Sequence, residues 1–572
     1  EVGTELVWGY CNESNLPRLV FVNKMDRENA DYGKVVDEIR ARLGNKCVPL
    51  QVPIGAASGF EGVVDLLTMK AYTGAGMDAK EADIPDTVKA QADSFREMLI
   101  ESVAEIDDAL IEKYLGGEDI TAQELATTLK KAVKSGSIYP ILAGSALQNI
   151  GVNRLADAII EYLPTPKEAK VLTEDGETDA DESAPLAALV FKTTADPYVG
   201  KLTYFRVYNG TFTGNSQVWN ANQGAAERIG QLYVMKGKTQ ETVNEVTAGD
   251  IGAVAKLNIT ETGNTLCVQE KQLKLKSIVF PAPSFREAVY PKTKTDVDKM
   301  GSALARLAEE DLTLTVHREL GTHETILSGM GDTHLSVAAE KMQRKFGVNV
   351  ELSTPKVPYR ETITVPSKGE YKHRKQSGGH GQYGHVLLEL EPLPERAENQ
   401  FADRIVGGSV PKNYIPAVEK GVVETYSEGG LAGFPVVGIK TTLYDGSFHA
   451  VDSSEICFKI AGSQAFKKGI REGHPILLEP IMNLKVTVPN DLTGDIIGDL
   501  NTKRARVLGM NPDGDINMIE ATVPLSEVQR YAIDLKSLAQ GRAAYEIIFD
   551  HYEEVPAQIT QKIVAESQAE KE

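Results

Sequence analysis

The chain has 572 residues, 42% hydrophobic and 25% charged, with 61 Lys plus Arg against 81 Asp plus Glu. That length exceeds one hydrophobic core and implies about three to five domains, while a net charge of −20 argues against general nucleic-acid binding and leaves room only for local basic patches. No apolar run approaches the roughly 18 residues of a membrane span and no signal segment opens the chain, and four scattered cysteines without a CxxC pair argue against a zinc site or disulfide framework and fit a reducing cytoplasm.

In chain order, Leu19–Val22 is a short apolar run ending at Asn23, and Val48–Ile54 and Ile141–Leu142 are similar, so each reads as a buried strand. Residues 84–135 read as helical. Gly116 and Gly117 stop one helix, and Thr121 with Glu124 has the capping-box spacing that starts the next. Strands alternating with helices predict a mostly parallel sheet carrying an inserted helical block at about 46–135.

Asn23-Lys24-Met25-Asp26 follows the first strand, and NKxD is the pattern of a guanine-reading loop. Guanine offers N1–H and its exocyclic amine as adjacent donors, and one carboxylate, Asp26, can accept from both. Adenine lacks that donor pair and leaves the carboxylate unpaired, a costly mismatch. Asn23 would brace the loop, and the stem of Lys24 would lie along the base. A lone match is weak, since an Asn/Asp turn after a strand looks the same. Gly144-Ser145-Ala146-Leu147 also follows a strand, and its small turn lets a backbone N–H point at guanine O6. A phosphate loop would read GxxxxGK[ST]. Gly237-Lys238-Thr239 is the nearest approach, but Leu232 replaces the first glycine.

Beyond Pro166, residues 166–184 are acidic and poor in apolar side chains, which reads as a solvated linker. From Leu186 the pattern alternates with period two, Asn209-Gly210 suits a tight hairpin, and short strands to about Phe280 predict a small β-barrel. Residues 285–352 and 482–552 each read strand, helix, strand, strand, helix, strand. Val297, Met300, Leu304 and Leu307 share a helix face in the first, and two split βαβ units result. Residues 363–480 form a Gly-rich α+β segment between them.

These stretches together resemble elongation factor G, the translational GTPase. "FVNKMDR" and "GSAL" resemble its guanine motifs and "ADPYVGKLTYFRVYNG" its second domain. "LARLAEEDLTL" and "SGMGDTHL" resemble the third domain, and "SGGHGQYGHV", "LYDGSFHAVDSSE" and "FKIAGSQAFK" the fourth. "EPIMNLKV", "GDIIGDLNTKR" and "FDHYEEVP" resemble the fifth. Asp332-Thr333 stands where the family commonly has Glu-Leu, and His380 where it commonly has Arg.

The resemblance implies a multidomain α/β and α+β protein. The expected order is part of a P-loop-type GTPase domain (1–165), an acidic linker (166–184), a β-barrel (185–281), a ferredoxin-like domain (282–362), an α+β tip domain (363–480), a second ferredoxin-like domain (481–552) and a terminal helix (553–572). Asn23, Lys24, Asp26, Ser145, Ala146 and Leu147 are its expected nucleotide contacts. The family's phosphate loop, DxxG motif and catalytic histidine are expected before Glu1, so no catalytic residue is assigned in this chain, and GTP or GDP with Mg2+ is expected of the full-length protein.

By the same resemblance the partner is the ribosome, with ribosomal RNA, tRNA and mRNA at the decoding site, the protein is a cytoplasmic monomer, and the activity is GTP-dependent translocation. A non-hydrolysing tRNA mimic and a ribosomal protection protein are the alternatives. Gly378, Gly379, His380, Gly381, Gln382, Tyr383, Gly384 and His449 are the expected RNA-contacting tip, where missing Cβ atoms permit close backbone approach. Lys372, Arg374 and Lys375 form a basic patch beside it, suited to phosphates. Lys467, Lys468 and Arg471, and Lys503, Arg504 and Arg506, are lesser candidates. Without the resemblance, the tip reads as a mobile Gly-rich hairpin with a solvated charge run.

Overall fold

The computed structural model describes residues 2–196, 200–237, 239–319, 321–376, 381–394 and 397–569. It divides into two compact units, Glu1–Phe191 with Thr203–Ser277, and Lys192–Leu202 with Ile278–Glu572.

In the first unit, Val20–Val22, Tyr139–Ala143 and Cys47–Pro49 form a parallel sheet with Tyr139–Ala143 in the middle. That middle strand is buried at every position, which is why it reads as an unbroken apolar run. Helices Asp86–Ala104, Asp108–Gly116 and Ala122–Lys134 follow. Gly117 ends the second of them with φ 71°, and the Thr121–Glu124 capping box starts the third. The inserted block is not wholly helical. It opens with a four-stranded antiparallel sheet, Gln51–Ile54, Gly62–Asp65, Lys70–Thr73 and Lys80–Ala82. The run Val48–Ile54 divides between the two sheets, and strands of three or four residues are too short to show a period.

The acidic stretch is also more ordered than its composition implies. Lys170–Thr173 and Gly176–Asp179 pair as a hairpin around Glu174-Asp175. Val171 is 2% exposed and packs with Ala187, Leu189 and Leu275. The following strands form an eight-stranded ladder with a two-stranded annex around one apolar core. Asn209-Gly210 is not a hairpin turn. Gly200–Asn209 lies in the large sheet, whereas Thr211–Thr213 pairs with Glu245–Thr247 in the annex. Gly210 is the corner between them, at φ 70°, and a Cβ there would sit 2.6 Å from Ala184 O. Burial of Phe205 and Phe212, rings 4.4 Å apart, decides where the chain goes next.

In the second unit the two split βαβ units are present. Phe285–Pro291 and Thr325–Gly329 are the central strands of the first sheet, flanked by Val350–Ser353 and Thr315–Arg318. Pro475–Pro489 and Ile516–Pro524 take the same places in the second, flanked by Ala544–Glu554 and Arg506–Asp513. In helix Lys294–Glu310 the buried residues are Asp296, Ala303, Leu304 and Leu307, whereas Val297 is exposed.

The tip domain is inserted between two strands that pair with each other. Arg360–Ile363 runs antiparallel to Pro475–Pro489, with Arg360 opposite Leu478 and Ile363 opposite Pro475, so chain entry and exit share one sheet. The junction is fixed by Glu361, which is fully buried. Its Oε2 accepts from Gly430 N and Leu431 N, and its Oε1 from Ala432 N, Gly433 N and Phe434 N, at 2.6 to 3.0 Å. Above it, Ser367–Lys375, Gln382–Pro392, Ile439–Ser447 and Gln400–Asp403 form one sheet. Helices Ile415–Tyr426 and Glu455–Glu472 pack closely, and a Cβ on Gly421 would lie 2.1 Å from Lys459 O.

Candidate nucleotide and RNA-facing sites

Asn23 and Gly144 follow adjacent parallel strands whose register sets Val22 opposite Ala143. Both loops therefore leave the carboxyl edge of the sheet, where open parallel sheets bind ligands. The ladder continues past the strands, with Gly144 N donating to Val22 O at 3.0 Å and Met25 N to Gly144 O at 3.2 Å. Asn23 then ties the loops together, its Oδ1 accepting from Lys24 N at 2.8 Å and from Ala146 N at 2.9 Å. Lys24 adopts φ 64°, and Met25, 2% exposed, anchors the turn.

The half-buried Asp26 is thereby presented on a fixed turn, and its carboxylate has no hydrogen-bond or ion-pair partner among the described residues. An unpartnered carboxylate beside the sheet edge suits a ligand with paired donors, as guanine is. Ser145 is fully buried, exchanges two backbone bonds with Ile150, and accepts at Oγ from Gln148 N. Asn23 takes the Ala146 N–H and Ser145 Oγ the Gln148 N–H, which leaves the Leu147 amide without a protein partner in this turn, on a residue that is 77% exposed. Among the described residues, no group of three or more His, Cys, Asp or Glu could hold a metal ion.

At the tip, Gly378, Gly379 and His380 lie outside the described residues. The remaining candidates are brought together by Asp452-Ser453, two residues of the second tip motif to which the sequence assigned no role. Gly381 N donates to Asp452 Oδ1 at 3.0 Å and Tyr383 N to Asp452 O at 2.8 Å. Ser453 Oγ donates to Tyr383 O at 2.9 Å and accepts from His449 N at 2.9 Å. Gly381–Tyr383 and the loop 448–454 are thus clasped into one unit, with the rings of Tyr383 and His449 6.3 Å apart. Gln382 binds His373 Nε2 at 2.9 Å, and Gly384 lets the strand pass Cys457 O, which a Cβ would meet at 2.8 Å. The signal for this clasp was the position of Asp452 and Ser453 just ahead of helix Glu455–Glu472, where short polar side chains are free to bind neighbouring backbone.

The basic patch divides. Strand alternation puts Lys372 and Arg374 on one face and Lys375, with His373, on the other. Gly369 shares the parity of Lys375 and packs against Ala465 O, so Lys375 belongs to the helix-covered side and the other two to the open face. Lys372 Nζ lies 5.4 Å from the centre of the Tyr383 ring. Most of the lesser cations are engaged within the fold. Lys467 pairs with Glu428 at 2.6 Å and Lys503 with Asp534 at 2.7 Å, while Arg504 forks onto the buried Glu479.

Five family models match the chain in succession: elongation factor Tu GTP binding domain over residues 1–165, elongation factor G domain 2 over 185–269, domain III over 280–354, domain IV over 355–474, and the elongation factor G C-terminus over 476–563. A crystal structure of a protein from Thermus thermophilus is 39% identical, with a TM-score of 0.76 over 100% of this chain and 84% of that one. The chain belongs to the elongation factor G family. It is accordingly a translation elongation factor of the GTP-binding class, and no helix among the described residues is long and apolar enough to cross a membrane. The elongation factor G domain IV match spans both tip loops. It ends at residue 474, immediately before strand Pro475–Pro489 returns the chain to its sheet.

Proposed function

We propose that this elongation factor G family member is a cytoplasmic, monomeric translocation factor that couples GTP hydrolysis to movement of tRNA and mRNA on the ribosome. In this reading Asp26 accepts from N1–H and the exocyclic amine of guanine, the Leu147 amide donates to O6, and the stem of Lys24 covers the base. Asn23 holds the two loops at the right separation. GTP with its magnesium supplies the phosphate chemistry when bound, and the residues assigned here do only the base reading. The tip, from Gly381 to Gly384 with His449, meets RNA at the decoding site, with Lys372 and Arg374 beside it.

The observation that carries this reading is the coexistence, in one chain, of a carboxylate left open beside a parallel sheet edge and a clasped tip flanked by cations. A binding module alone would not need the first, and a GTPase alone would not need the second. The test measures ribosome-stimulated GTP hydrolysis and mRNA movement on the same preparation of the full-length protein. Removing the His449 side chain should slow movement and leave hydrolysis nearly unchanged, because only interactions made during the slow step are lost. Equal loss of both activities counts against a tip-specific role.

A further inference from the structure

We infer that the C-terminal helix, Ala557–Ala569, is a detachable strap that holds the tip domain away from strand Ala544–Glu554, and that its release lets the tip domain swing into the cleft between them. The device is independent of what the tip touches. The neck joining the two domains is the strand pair Arg360–Ile363 and Pro475–Pro489, and alternation gives it two unlike faces. On one face Glu361 stands opposite Leu477, and both are fully buried. On the other, Arg360 stands opposite Leu478 and Thr362 opposite Ile476, and all four line an open cleft of about 790 Å³.

The walls of the cleft are Val437 of the tip domain and Tyr552 of the ferredoxin-like domain, and each is braced. Asn399 donates to Val436 O at 2.7 Å and accepts from Ile439 N at 3.0 Å, while Tyr552 donates to Pro358 O at 3.2 Å and carries the Arg360 guanidinium 4.1 Å from its ring centre. Close-packed interiors leave no such space, so the cleft is room for one domain to move as a body. The helix acts on the opposite, buried face. Ile563 packs with Val555, Leu477 and Ala432, the last from the tip-domain loop that holds Glu361, and Ser567 Oγ donates to Ala432 O at 2.6 Å. Swinging the tip domain toward Tyr552 pulls these contacts apart, because they lie across the neck from the cleft. The seat is slight. Ile563 is the one buried side chain among the helix's described residues, with Ile559 and Val564 half-buried. The neck has its ladder and five amides on the Glu361 carboxylate, so local opening releases the helix before the neck.

Two readouts on the full-length protein test this. Spin labels at Gln400→Cys and Glu546→Cys report the width of the cleft as a distance distribution, with the half-buried Cys11 changed to Ser. Both label positions are exposed, Gln400 following Asn399 on one wall and Glu546 lying on the strand of the other. Hydrogen exchange across residues 557–569 reports whether the helix is seated. Ile563→Ala removes the anchor, Ser567→Ala cuts only the bond to Ala432 O, and Thr362→Trp fills the cleft at the neck.

Ile563→Ala should speed exchange across the helix by about tenfold or more and raise the share of short distances by a similar factor. Ser567→Ala, which leaves the apolar seat intact, should move both readouts the same way by a fewfold. Adding Thr362→Trp to Ile563→Ala should keep the distances long while the helix stays loose. Faster helix exchange with an unchanged distance distribution overturns the proposal, since the neck alone then sets the angle. Distances that lengthen, or that shorten equally with Thr362→Trp present, overturn it too. Unchanged exchange in Ile563→Ala does the same, because the helix would then be seated by something other than this contact.

Discussion

Asn23 and Ala146 stand 123 residues apart in sequence, and one hydrogen bond of 2.9 Å joins the Asn23 carboxamide oxygen to the Ala146 amide. The same oxygen accepts from Lys24 N, so a single atom sets the spacing of both loops and the presentation of Asp26. A base held between such loops is read by groups already in place, which lowers the ordering cost of binding.

Base choice should follow Asp26. In the full-length protein Asp26→Asn should weaken GTP by about 10-fold or more and improve xanthosine triphosphate, because the amide donates to the carbonyl that replaces the amine. Asn23→Ala should weaken both nucleotides alike by about 1–2 kcal/mol, since it loosens the loops without changing the reader. Competition binding with the two nucleotides checks both outcomes, and unchanged preference in Asp26→Asn removes Asp26 from the role.

The junction should depend on the charge of Glu361. Glu361→Gln turns one acceptor oxygen into a donor facing Gly430 N and Leu431 N, while the carbonyl retains the other three amides. Loss of about 2–4 kcal/mol is expected, from forfeited charge-assisted bonds and buried unpaired N–H groups. Urea unfolding gives the magnitude, and faster hydrogen exchange confined to residues 430–434 gives the location. A stable variant with unchanged exchange would show that the loop holds itself.

What the sequence made legible was local. The Thr121–Glu124 capping box, the stop at Gly117 and the paired strand–helix order of the two ferredoxin-like sheets depend on neighbours within a few residues, and each is present. The two guanine-type loops were each visible, but not the bond between them, because nothing near Asn23 in sequence indicates Ala146. Asn209-Gly210 misled for the converse reason. The dipeptide permits a hairpin, but the core positions of Phe205 and Phe212 lie on strands of different sheets, and burial outweighs a turn preference. The acidic hairpin was hidden because one buried residue, Val171, holds it among many exposed ones. The tip motifs were plain as words, while the Asp452-Ser453 clasp that makes them one surface appears only when both loops are placed.

A pH dependence of stability should come from His551. Burial disfavours its charged form, but hydrogen bonds to Glu553 at 3.0 Å and Asp550 at 2.7 Å, with their negative charges, outweigh that and raise its pKa above the usual 6.5. A raised folded-state value contributes stability that is complete below the unfolded pKa and is lost as pH rises through the folded one. The thermal midpoint should therefore fall as pH is raised from about 6 through the raised value, and His551→Ala should flatten that part of the profile. A parent profile that matches the variant's across this window would rule out the contribution.

Salt dependence should separate the two faces of the tip strand. Lys372 and Arg374 share the open face with Tyr383, and Lys375 has the parity of Gly369, which packs against Ala465 O. If the open face meets phosphates, Lys372→Gln with Arg374→Gln should lower the slope of log affinity against log salt by about 1–2, because fewer counterions are released, while Lys375→Gln should change it little. Affinity of the full-length protein for ribosomes, measured across a series of potassium concentrations, gives the slopes directly. Each substitution removes one unit charge, so a general electrostatic attraction predicts equal effects per residue, whereas local phosphate contacts predict an effect set by the face. Equal slopes for Lys372→Gln, Arg374→Gln and Lys375→Gln would assign the patch to long-range steering. A larger effect from Lys375→Gln than from the other two would move the RNA-facing side to the opposite face of the sheet.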